Sequence, residues 1–308
     1  MNSLTIETGA KINLGLWVGP RRSDGFHEIL TTLVPIEFGD RLQIEKTKNG
    51  IEVITTGIKL DIPREKNLAY QAAQLFFKTA GIKAGCRIKI HKRVPPGSGL
   101  GGGSADAATT LIGLNRLFRY PLRKKVLHKL TLELGSDVRF FLLNSPAIAR
   151  GRGEKLKRVQ IPQLLILLYF PGFGISTTWA YQAIDHQRRR LTMPTISPKI
   201  LIRKIRKSEL TGVVAQLKNS FETIVFQRYP ILRKVKKLML ENGCYAASLS
   251  GSGSVVYGLT LTSAPMRRLA ELGIRCILTR SLIMRSVKCR ANLQVCFTKP
   301  PKSEKDGD

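Results

Sequence analysis

A run of glycines before the middle of the chain constrains the fold more than any other feature of the sequence. Five of the seven residues from position 97 to 103 are glycine, inside the stretch Val94–Ala108. Glycine lacks a Cβ, so such a loop reaches positive φ and lets a ligand approach the backbone closely. The alternating segment Cys86–His91 precedes the loop and predicts a half-buried strand. Amide N–H groups gathered between a strand and a helix form an anion cradle, so the sequence predicts a phosphate-binding loop.

The residues after the glycines predict a helix. Apolar residues recur at helical spacing from Ala108 to Phe118, and Tyr120-Pro121 ends the pattern. We expect Ser104 to be the N-cap residue. We also expect Asp106 to lie in the first turn, where a negative charge complements the helix dipole.

Several common phosphate-binding motifs are excluded. Gly97–Gly102 matches GxGxxG, but a dinucleotide-binding fold needs an acidic residue about 20 positions later, and residues 119–129 contain none. A Walker loop needs a Gly-Lys pair, and a protein kinase needs His-Arg-Asp and Asp-Phe-Gly; the chain has none of these. A purely structural turn is disfavoured because so many glycines raise the backbone entropy lost on folding.

The net charge leaves several classes of partner open. The chain has 308 residues with 51 Lys and Arg against 21 Asp and Glu, a formal net charge of +30. This charge suits nucleic acid, an anionic membrane surface or anionic metabolites as partners. The basic runs are spread along the chain, as is also typical of solvated helix faces.

Cysteine usage and hydropathy favour a cytoplasmic protein without a membrane span. The five cysteines have no CxxC spacing, and residues 1–10 lack a signal-peptide pattern. The most apolar run, Leu164–Phe170, is too short for a membrane span, which takes about 20 residues. It predicts a buried central strand.

Mixed strand and helix patterns predict an α/β or an α+β fold. The chain length suggests one large or two ordinary domains, and the pattern resets around Gly151–Val159. We therefore place an N-terminal domain at residues 1–155, a C-terminal domain at 156–298 and a disordered tail at 299–308. The predicted strands are Leu4–Val18 (interrupted by Gly9 and Gly15), Ile29–Phe38 and Arg41–Lys46, with a loop at Gly19–Gly25. The predicted helices are Asn67–Ala80, Leu122–Leu134, one capped by Ser136, Thr177–Arg189, Lys199–Arg206, Ser208–Lys218 and Pro230–Glu241. The segment Tyr245–Val256 and a last αβ unit follow them.

Four motifs in order resemble those of the GHMP kinases. They are Ala10–Leu16 with Arg22–Glu28, Pro96–Ser104, Leu134–Phe141 and Ser248–Val256. The resemblance implies an α+β fold, the two-domain GHMP kinase fold with the active site in the cleft between the domains, and ATP and Mg²⁺ as cofactors. The first and third motifs are similar to one branch, whose small-molecule substrate is a cytidine diphosphate-linked methylerythritol. That branch phosphorylates the 2-hydroxyl in the non-mevalonate route to isoprenoids.

The resemblance implies two catalytic residues. Asp137 would accept the proton of the substrate hydroxyl, and Lys11 would orient Asp137 and stabilise charge on the phosphoryl group. Each has a simpler interpretation, since Asp137 could cap a helix and Lys11 could be a gatekeeper at a strand edge. Asn13 lies on the same strand face as Lys11 and is suited to hold a substrate hydroxyl.

The remaining site residues also follow from the resemblance. Phe26, His27, Thr177 and Tyr181 match substrate-binding positions, with the two aromatic rings stacking on cytosine; Tyr181 could instead be a core-facing helix residue. Ser104 is the candidate Mg²⁺ ligand. The expected ATP-binding residues are Pro95, Pro96, Gly97, Ser98, Gly99, Leu100, Gly101, Gly102, Gly103, Ser104 and Ala105.

Two departures from the family pattern leave alternatives open. Ala105 stands where members often carry a second serine, and Arg139 where many carry proline. The alternatives are a kinase for homoserine, mevalonate or a sugar, a degenerate kinase, and a basic nucleic-acid-binding protein on a GHMP scaffold. We expect no membrane partner, no requirement for nucleic acid although the charge permits non-specific binding, and a monomer or homodimer.

Overall fold

Three four-stranded β-sheets organise the part of the chain described by the computed structural model, which covers residues 2–186, 197–209, 212–213 and 217–282. The strands are β1 (Ser3–Glu7), β2 (Ala10–Arg21), β3 (His27–Ile36), β4 (Arg41–Thr47), β5 (Ile51–Gly57), β6 (Gly85–Lys92), β7 (Ala147–Arg150), β8 (Lys155–Arg158), β9 (Leu165–Tyr169), β10 (Ala246–Leu249), β11 (Val256–Thr260) and β12 (Cys276–Arg280). The sheet orders are β1-β4-β6-β5, β2-β3-β7-β8 and β10-β11-β9-β12. Neighbouring strands are antiparallel except β5 and β6.

Helices cover these sheets. They are α1 (Leu68–Ala80), α2 (Gly102–Leu117), α3 (Lys124–Leu134), α4 (Val138–Leu143), α5 (Thr177–His186), α6 (Pro198–Arg206), α7 (Glu222–Arg228), α8 (Pro230–Glu241) and α9 (Ala264–Glu271). Helix α1 has clear end signals, because the Asn67 side chain accepts a hydrogen bond from the N–H of Ala69, and Gly81 ends the helix at φ +65°. Helices α1 and α2 pack on the first sheet, and their buried residues Phe76 and Leu111 belong to its core.

The second and third sheets share one hydrophobic core. Ile12 and Val34 come from the second sheet, Ile166 and Tyr257 from the third, and Leu201 from α6. Helices α5, α7 and α8 pack on a further core with the third sheet. The N-terminal and C-terminal halves of the chain are therefore joined by shared apolar packing, which fixes the two sides of the cleft described below.

The predicted strand Leu4–Val18 forms two strands in different sheets. The break falls at Thr8-Gly9, and a Cβ on Gly9 would lie 2.7 Å from the carbonyl oxygen of Ile36. Gly15 has φ +69° and lies at a shift of register between β2 and β3. The two glycines therefore mark a change of sheet and a bulge.

The predicted loop at Gly19–Gly25 is shorter than expected. Strand β2 continues to Arg21, and a tight turn follows in which the N–H of Arg22 donates to the carbonyl of Phe26 over 2.6 Å. Within Tyr245–Val256, a loop separates β10 from β11. That loop forms the middle of the fourth motif.

Other predictions of secondary structure are confirmed. The apolar run Leu164–Phe170 contains β9, which lies between β11 and β12 with its three central residues buried. Helices at Asn67–Ala80, Lys199–Arg206 and Pro230–Glu241 form within a residue of their predicted limits, and α3 begins two residues after its predicted start at Leu122. Strands β5, β7 and β8 and helix α7 were not predicted.

Two predicted helix caps are wrong. Helix α2 begins at Gly102 with Gly101 as its cap residue at φ +75°, so Ser104 lies inside the first turn. Helix α4 begins at Val138 after Asp137, and no side chain caps it. The glycine backbone itself starts α2, which is why no side-chain cap is needed there.

Some predictions fall outside the described residues. These are the end of the helix Thr177–Arg189, part of the helix Ser208–Lys218 and the tail 299–308. The domain limits near residues 155 and 298 stay predictions. No described helix has both the length and the hydropathy needed to cross a bilayer.

Candidate active site

A cleft of about 950 Å³ lies between the glycine loop, strands β2 and β3, the segment before α4 and helix α5. Its lining combines residues from both halves of the chain, including Lys11, Ser104 and Asp137 on one side and Thr177 and Ser252 on the other. The structure therefore brings the four motifs together, although they are far apart in the sequence.

The carbonyl groups of the glycine loop are bound by other segments of the protein. The Gly97 carbonyl accepts hydrogen bonds from the N–H groups of Ile175 and Ser254, both over 2.8 Å. The Gly99 carbonyl accepts from the Ser250 hydroxyl over 3.0 Å and from Lys11 Nζ over 2.5 Å. The first N–H groups of α2 have no acceptor inside the helix, and Gly102, Gly103 and Ser104, which carry them, line the cleft.

Two positions in the loop require glycine. Gly99 has φ +77°, and a Cβ there would lie 1.8 Å from the Ser250 carbonyl oxygen. Gly97 has φ +64°, and its Cβ would lie 2.8 Å from the backbone nitrogen of Ile175. The backbone adopts left-handed conformations and touches its neighbours at both positions, which explains the glycines without reference to a ligand.

Two predicted ATP-binding residues do not line the cleft. Leu100 and Ala105 are buried in the core, and Leu100 contributes its carbonyl, which accepts from the Lys11 backbone N–H over 2.9 Å. The other nine predicted residues, Pro95–Gly99 and Gly101–Ser104, line the cleft.

Lys11 is a buried lysine held by the loop. Its Nζ donates to Asn13 Oδ1 over 2.6 Å and to the Gly99 carbonyl. Burial lowers the pKa of Lys11, and the negative charge of Asp137 opposes that shift. A Cβ on Gly251 would lie 3.2 Å from Nζ, so the fourth motif also approaches this amine.

Asp137 lies at the start of α4 and lines the same cleft. A Cβ on Gly153 would lie 3.9 Å from its Oδ1. Arg139 does not line the cleft; its Nη1 donates to the Glu154 carbonyl over 3.1 Å, and its charge lowers the pKa of His128 after the larger effect of burial. Arg139 is therefore held by the backbone of Glu154, outside the lining of the cleft.

The predicted nucleobase pocket contains an exposed ring and a buried one. Phe26 is 50% exposed, and the guanidinium of Arg152 lies 4.9 Å from its ring centroid. His27 is buried and stacks on Tyr181 at 5.0 Å between centroids. Tyr181 meets Phe221 edge-on, so it both packs on the core and lines the cleft.

The polar residues predicted to bind substrate are positioned by hydrogen bonds. The Thr177 and Ser252 hydroxyls lie 3.2 Å apart, which joins α5 to the fourth motif. Asn13 Nδ2 donates to Thr31 over 3.1 Å while its oxygen binds Lys11, so one amide proton is left for a substrate. Burial raises the pKa of Tyr181 to about 12, with the charge of Asp137 as the second cause.

Sequence reasoning missed a buried charged cluster beside the loop. Lys92 donates to Asp40 and, over 2.7 Å, to Asp106. Asp40 also accepts from the backbone N–H of Val94 over 2.8 Å. Burial raises the pKa of Asp106 to about 7, and its Oδ1 has no partner. The alternation of β6 was the signal that could have located Lys92, since it places residues 86, 88, 90 and 92 on one face.

No group of three or more His, Cys, Asp or Glu residues with metal-site geometry occurs within the described ranges. Ser104, the predicted ligand, lines the cleft at the start of α2.

Two family models match the chain. The GHMP kinases N terminal domain matches residues 67–145, and the GHMP kinases C terminal model matches residues 201–271. These ranges contain the glycine loop, the candidate base and the fourth motif. They leave the strand of Lys11 and the turn of Phe26 outside both matches.

Curated relatives cover most of the chain. A 4-diphosphocytidyl-2-C-methyl-D-erythritol kinase of Pelotomaculum thermopropionicum is 37% identical over 274 residues, which are 87% of this chain and 92% of the relative. A protein of the same name from Methylacidiphilum infernorum is 42% identical over 256 residues, 81% of this chain and 84% of the relative.

Solved structures give the same result. A crystal structure of 4-(cytidine 5'-diphospho)-2C-methyl-D-erythritol kinase superposes with a TM-score of 0.78 at 35% identity, covering 90% of this chain and 99% of that one. A homoserine kinase from Cytophaga hutchinsonii superposes with a TM-score of 0.69 at 17% identity, covering 92% and 95%, and shares the fold alone.

Proposed function

The chain belongs to the GHMP kinase family, and we propose that it transfers the γ-phosphoryl group of ATP to the 2-hydroxyl of 4-diphosphocytidyl-2-C-methyl-D-erythritol. The observation that carries this proposal is the cleft itself, which joins a glycine loop, a lysine–aspartate pair and an aromatic pocket. Relatives of that name align over most of the chain at 37% and 42% identity.

The glycine loop is proposed to bind the triphosphate. The N–H groups at the start of α2 and the positive end of its dipole favour phosphate oxygens. The loop is rigid because its carbonyls are bound by Lys11, Ile175, Ser250 and Ser254. Phosphoryl transfer depends mainly on positioning and charge stabilisation, so a rigid loop serves the reaction directly.

Asp137 is proposed as the general base and Lys11 as its cationic partner. The Asp137 carboxylate accepts the proton of the substrate hydroxyl while that oxygen forms a bond to the γ-phosphorus. The bond between the γ-phosphorus and the bridging oxygen breaks, and ADP leaves with that electron pair. Lys11 lies beside the loop and interacts with Asp137, which places a positive charge where negative charge moves during transfer.

Mg²⁺ is part of the proposal, and the donor set fits it. Mg²⁺ is usually held by one or two protein oxygens together with phosphates and water. The Ser104 hydroxyl lies at the end of the loop and lines the cleft, as a P-loop serine does. When bound there, the ion would neutralise charge on the β- and γ-phosphate oxygens.

Phe26, His27 and Tyr181 are proposed to bind the cytosine, with Asn13 and Thr177 on the sugar-alcohol side. Aromatic faces stack on a nucleobase, and an imidazole reads its polar edge. A substrate without a nucleobase has no group that these three side chains would bind. A cytoplasmic location and a monomer or homodimer remain predictions from the sequence.

The test is ADP release from purified protein with ATP and Mg²⁺, comparing the cytidylyl substrate with mevalonate, homoserine and galactose. We expect turnover with the cytidylyl substrate alone, and none in an Asp137→Asn variant. Turnover with another alcohol would keep the kinase and contradict the substrate. A folded protein that binds ATP but turns over none of the four would favour the degenerate-kinase or nucleic-acid alternatives.

A further inference from the structure

Asp185, which is not among the predicted site residues, binds His27, the histidine proposed to form a hydrogen bond with the nucleobase. Nε2 of His27 and Oδ1 of Asp185 lie 2.8 Å apart, which joins the start of β3 to the last turn of α5. The His27 side chain is 5% exposed, whereas that of Asp185 is 39% exposed. The ring is also stacked on Tyr181, so its orientation is fixed from two directions.

This contact determines which ring nitrogen carries the proton. A carboxylate only accepts hydrogen bonds, so Nε2 must be the N–H that donates to it. In the neutral ring, Nδ1 is then an acceptor. Within the described ranges, the structure gives Nδ1 of His27 no hydrogen bond, and His27 lines the cleft.

We propose that Asp185 is a positioning residue that fixes His27 as the Nε2–H form, so that Nδ1 accepts from the amino group of cytosine and selects cytosine against uracil. The inference rests on the proposed function. Cytosine carries an amino donor at the ring position where uracil carries a carbonyl oxygen. Nδ1 would therefore bind the first base and face a second acceptor in the other, leaving both acceptors unpaired.

A lone histidine would discriminate poorly. Without a fixed partner on Nε2, an imidazole can move its proton to Nδ1 and donate to the uracil carbonyl. A site built around a hydrogen bond rejects the wrong partner strongly only when its own groups cannot adapt. The carboxylate of Asp185 removes that freedom, because it repels the ring form that has no proton on Nε2.

Asp185→Asn is the informative substitution. Asparagine keeps the size of the side chain, but its amide also donates, so it can place the ring proton on Nδ1 instead. The same exchange at a histidine partner in serine proteases gives the wrong ring form with intact geometry. We therefore expect discrimination to fall while the fold and the catalytic pair are kept.

The experiment measures binding of cytidine diphosphate and uridine diphosphate to the full-length protein by calorimetry. We expect the wild type to prefer cytidine diphosphate by about 10²-fold or more, and Asp185→Asn by less than about tenfold. Asp185→Glu should restore part of the preference. Glu271→Gln, which removes one exposed carboxylate on α9, away from the cleft, is the control and should keep the wild-type ratio.

A second readout separates positioning from packing. Two-bond ¹H–¹⁵N spectra identify the ring form of each histidine, and a His27→Gln variant assigns the His27 signals. We expect Nε2–H in the wild type and a shift toward Nδ1–H in Asp185→Asn. An Nδ1–H form in the wild type would overturn the inference, as would equal weakening of both nucleotides in Asp185→Asn.

The outcomes distinguish this inference from the proposed function. If the wild type phosphorylates the cytidylyl substrate and Asp185→Asn keeps the full preference for cytidine diphosphate, the inference is wrong and the function stands. If the wild type neither binds cytidine diphosphate nor turns over the cytidylyl substrate, the function fails and the inference fails with it.

Discussion

At the scale of single residues, buried charges define the candidate site. Lys11 and Asp106 are both buried, and each lies beside the glycine loop. Burial lowers the pKa of Lys11 and raises that of Asp106. Lys11 is held by Asn13 and the Gly99 carbonyl, whereas Asp106 shares Lys92 with Asp40. Perturbed ionisation of this kind concentrates at functional sites, so each residue carries its own prediction.

The first prediction concerns the catalytic pair. Lys11→Met and Asp137→Asn should each lower turnover by about 10³-fold, because one removes transition-state charge stabilisation and the other the base. ATP affinity, measured by calorimetry, should change by less than about threefold in Asp137→Asn, whose side chain supplies none of the loop N–H groups. It should fall further in Lys11→Met, which also loses the hydrogen bond to the Gly99 carbonyl. Glu271→Gln, an exposed position away from the cleft, is the control and should retain full turnover. A normal rate in Asp137→Asn would assign the base elsewhere.

The second prediction concerns Asp106. Its pKa in the folded protein is raised to about 7, so the folded state binds a proton that the unfolded state releases at lower pH. The stability that this group contributes is present below its ordinary pKa and is lost as the pH rises to about 7. Asp106→Asn should therefore lose less unfolding free energy than the wild type between pH 5 and pH 7.5, as measured by urea denaturation. Parallel pH profiles would contradict the assignment.

At the scale of elements, the glycine loop is fixed by its neighbours rather than by its own sequence. Its carbonyls bind the loop before α5 and the loop between β10 and β11, and three of its glycines, Gly97, Gly99 and Gly101, have φ values that L-residues rarely adopt. The glycines differ in what surrounds them. Gly99 meets backbone, whereas the nearest atom to a Cβ on Gly103 would be Leu68 Cδ1 at 3.7 Å.

The third prediction uses that difference. Gly99→Ala should destabilise the protein strongly, since left-handed backbone costs an alanine about 1 kcal/mol and the Ser250 carbonyl must also move. Gly103→Ala lies in the first turn of α2 and should be neutral or slightly stabilising. Thermal unfolding of the two variants measures the contrast. Equal stability of both would show that the loop is not held as described.

Particular residues show how far the sequence could predict these elements. The glycine loop, the helix ends at Asn67 and Gly81, and the shared face of Lys11 and Asn13 follow from local pattern and are present in the structure. Ser104 was predicted as a cap because the sequence does not indicate that glycines begin the helix. The residues that bind the Gly99 carbonyl lie 88 and 151 positions away, and Asp185 lies 158 from His27. Local periodicity holds no information on such distant pairs.

At the scale of the whole molecule, the charge exceeds what the cleft requires. The formal net charge is +30, and basic residues lie on exposed surfaces of several elements, among them α3, β8 and α8. A field of this sign attracts polyanionic ligands toward the cleft and attracts other polyanions as well.

The fourth prediction follows from that field. The protein should bind RNA without sequence preference, and the affinity should fall steeply between 50 and 200 mM salt, by about 10³-fold or more if six or more phosphates are contacted. Fluorescence anisotropy with two unrelated oligonucleotides measures this. Cytidine diphosphate should not compete, because it occupies the cleft rather than the surface. Competition, or salt-independent binding, would indicate a specific nucleic-acid site.

The hydrogen bonds on the glycine loop also limit how such a protein can be rebuilt from parts. Gly97 and Gly99 lie in the N-terminal half, but Ile175, Ser250 and Ser254, which bind their carbonyls, lie in the C-terminal half. Residues of both halves of the chain are therefore needed to hold the loop in place. If either half were exchanged for that of a distant relative, the loop would be separated from the residues that bind its carbonyls. The two halves are therefore expected to be inherited and recombined as a matched pair.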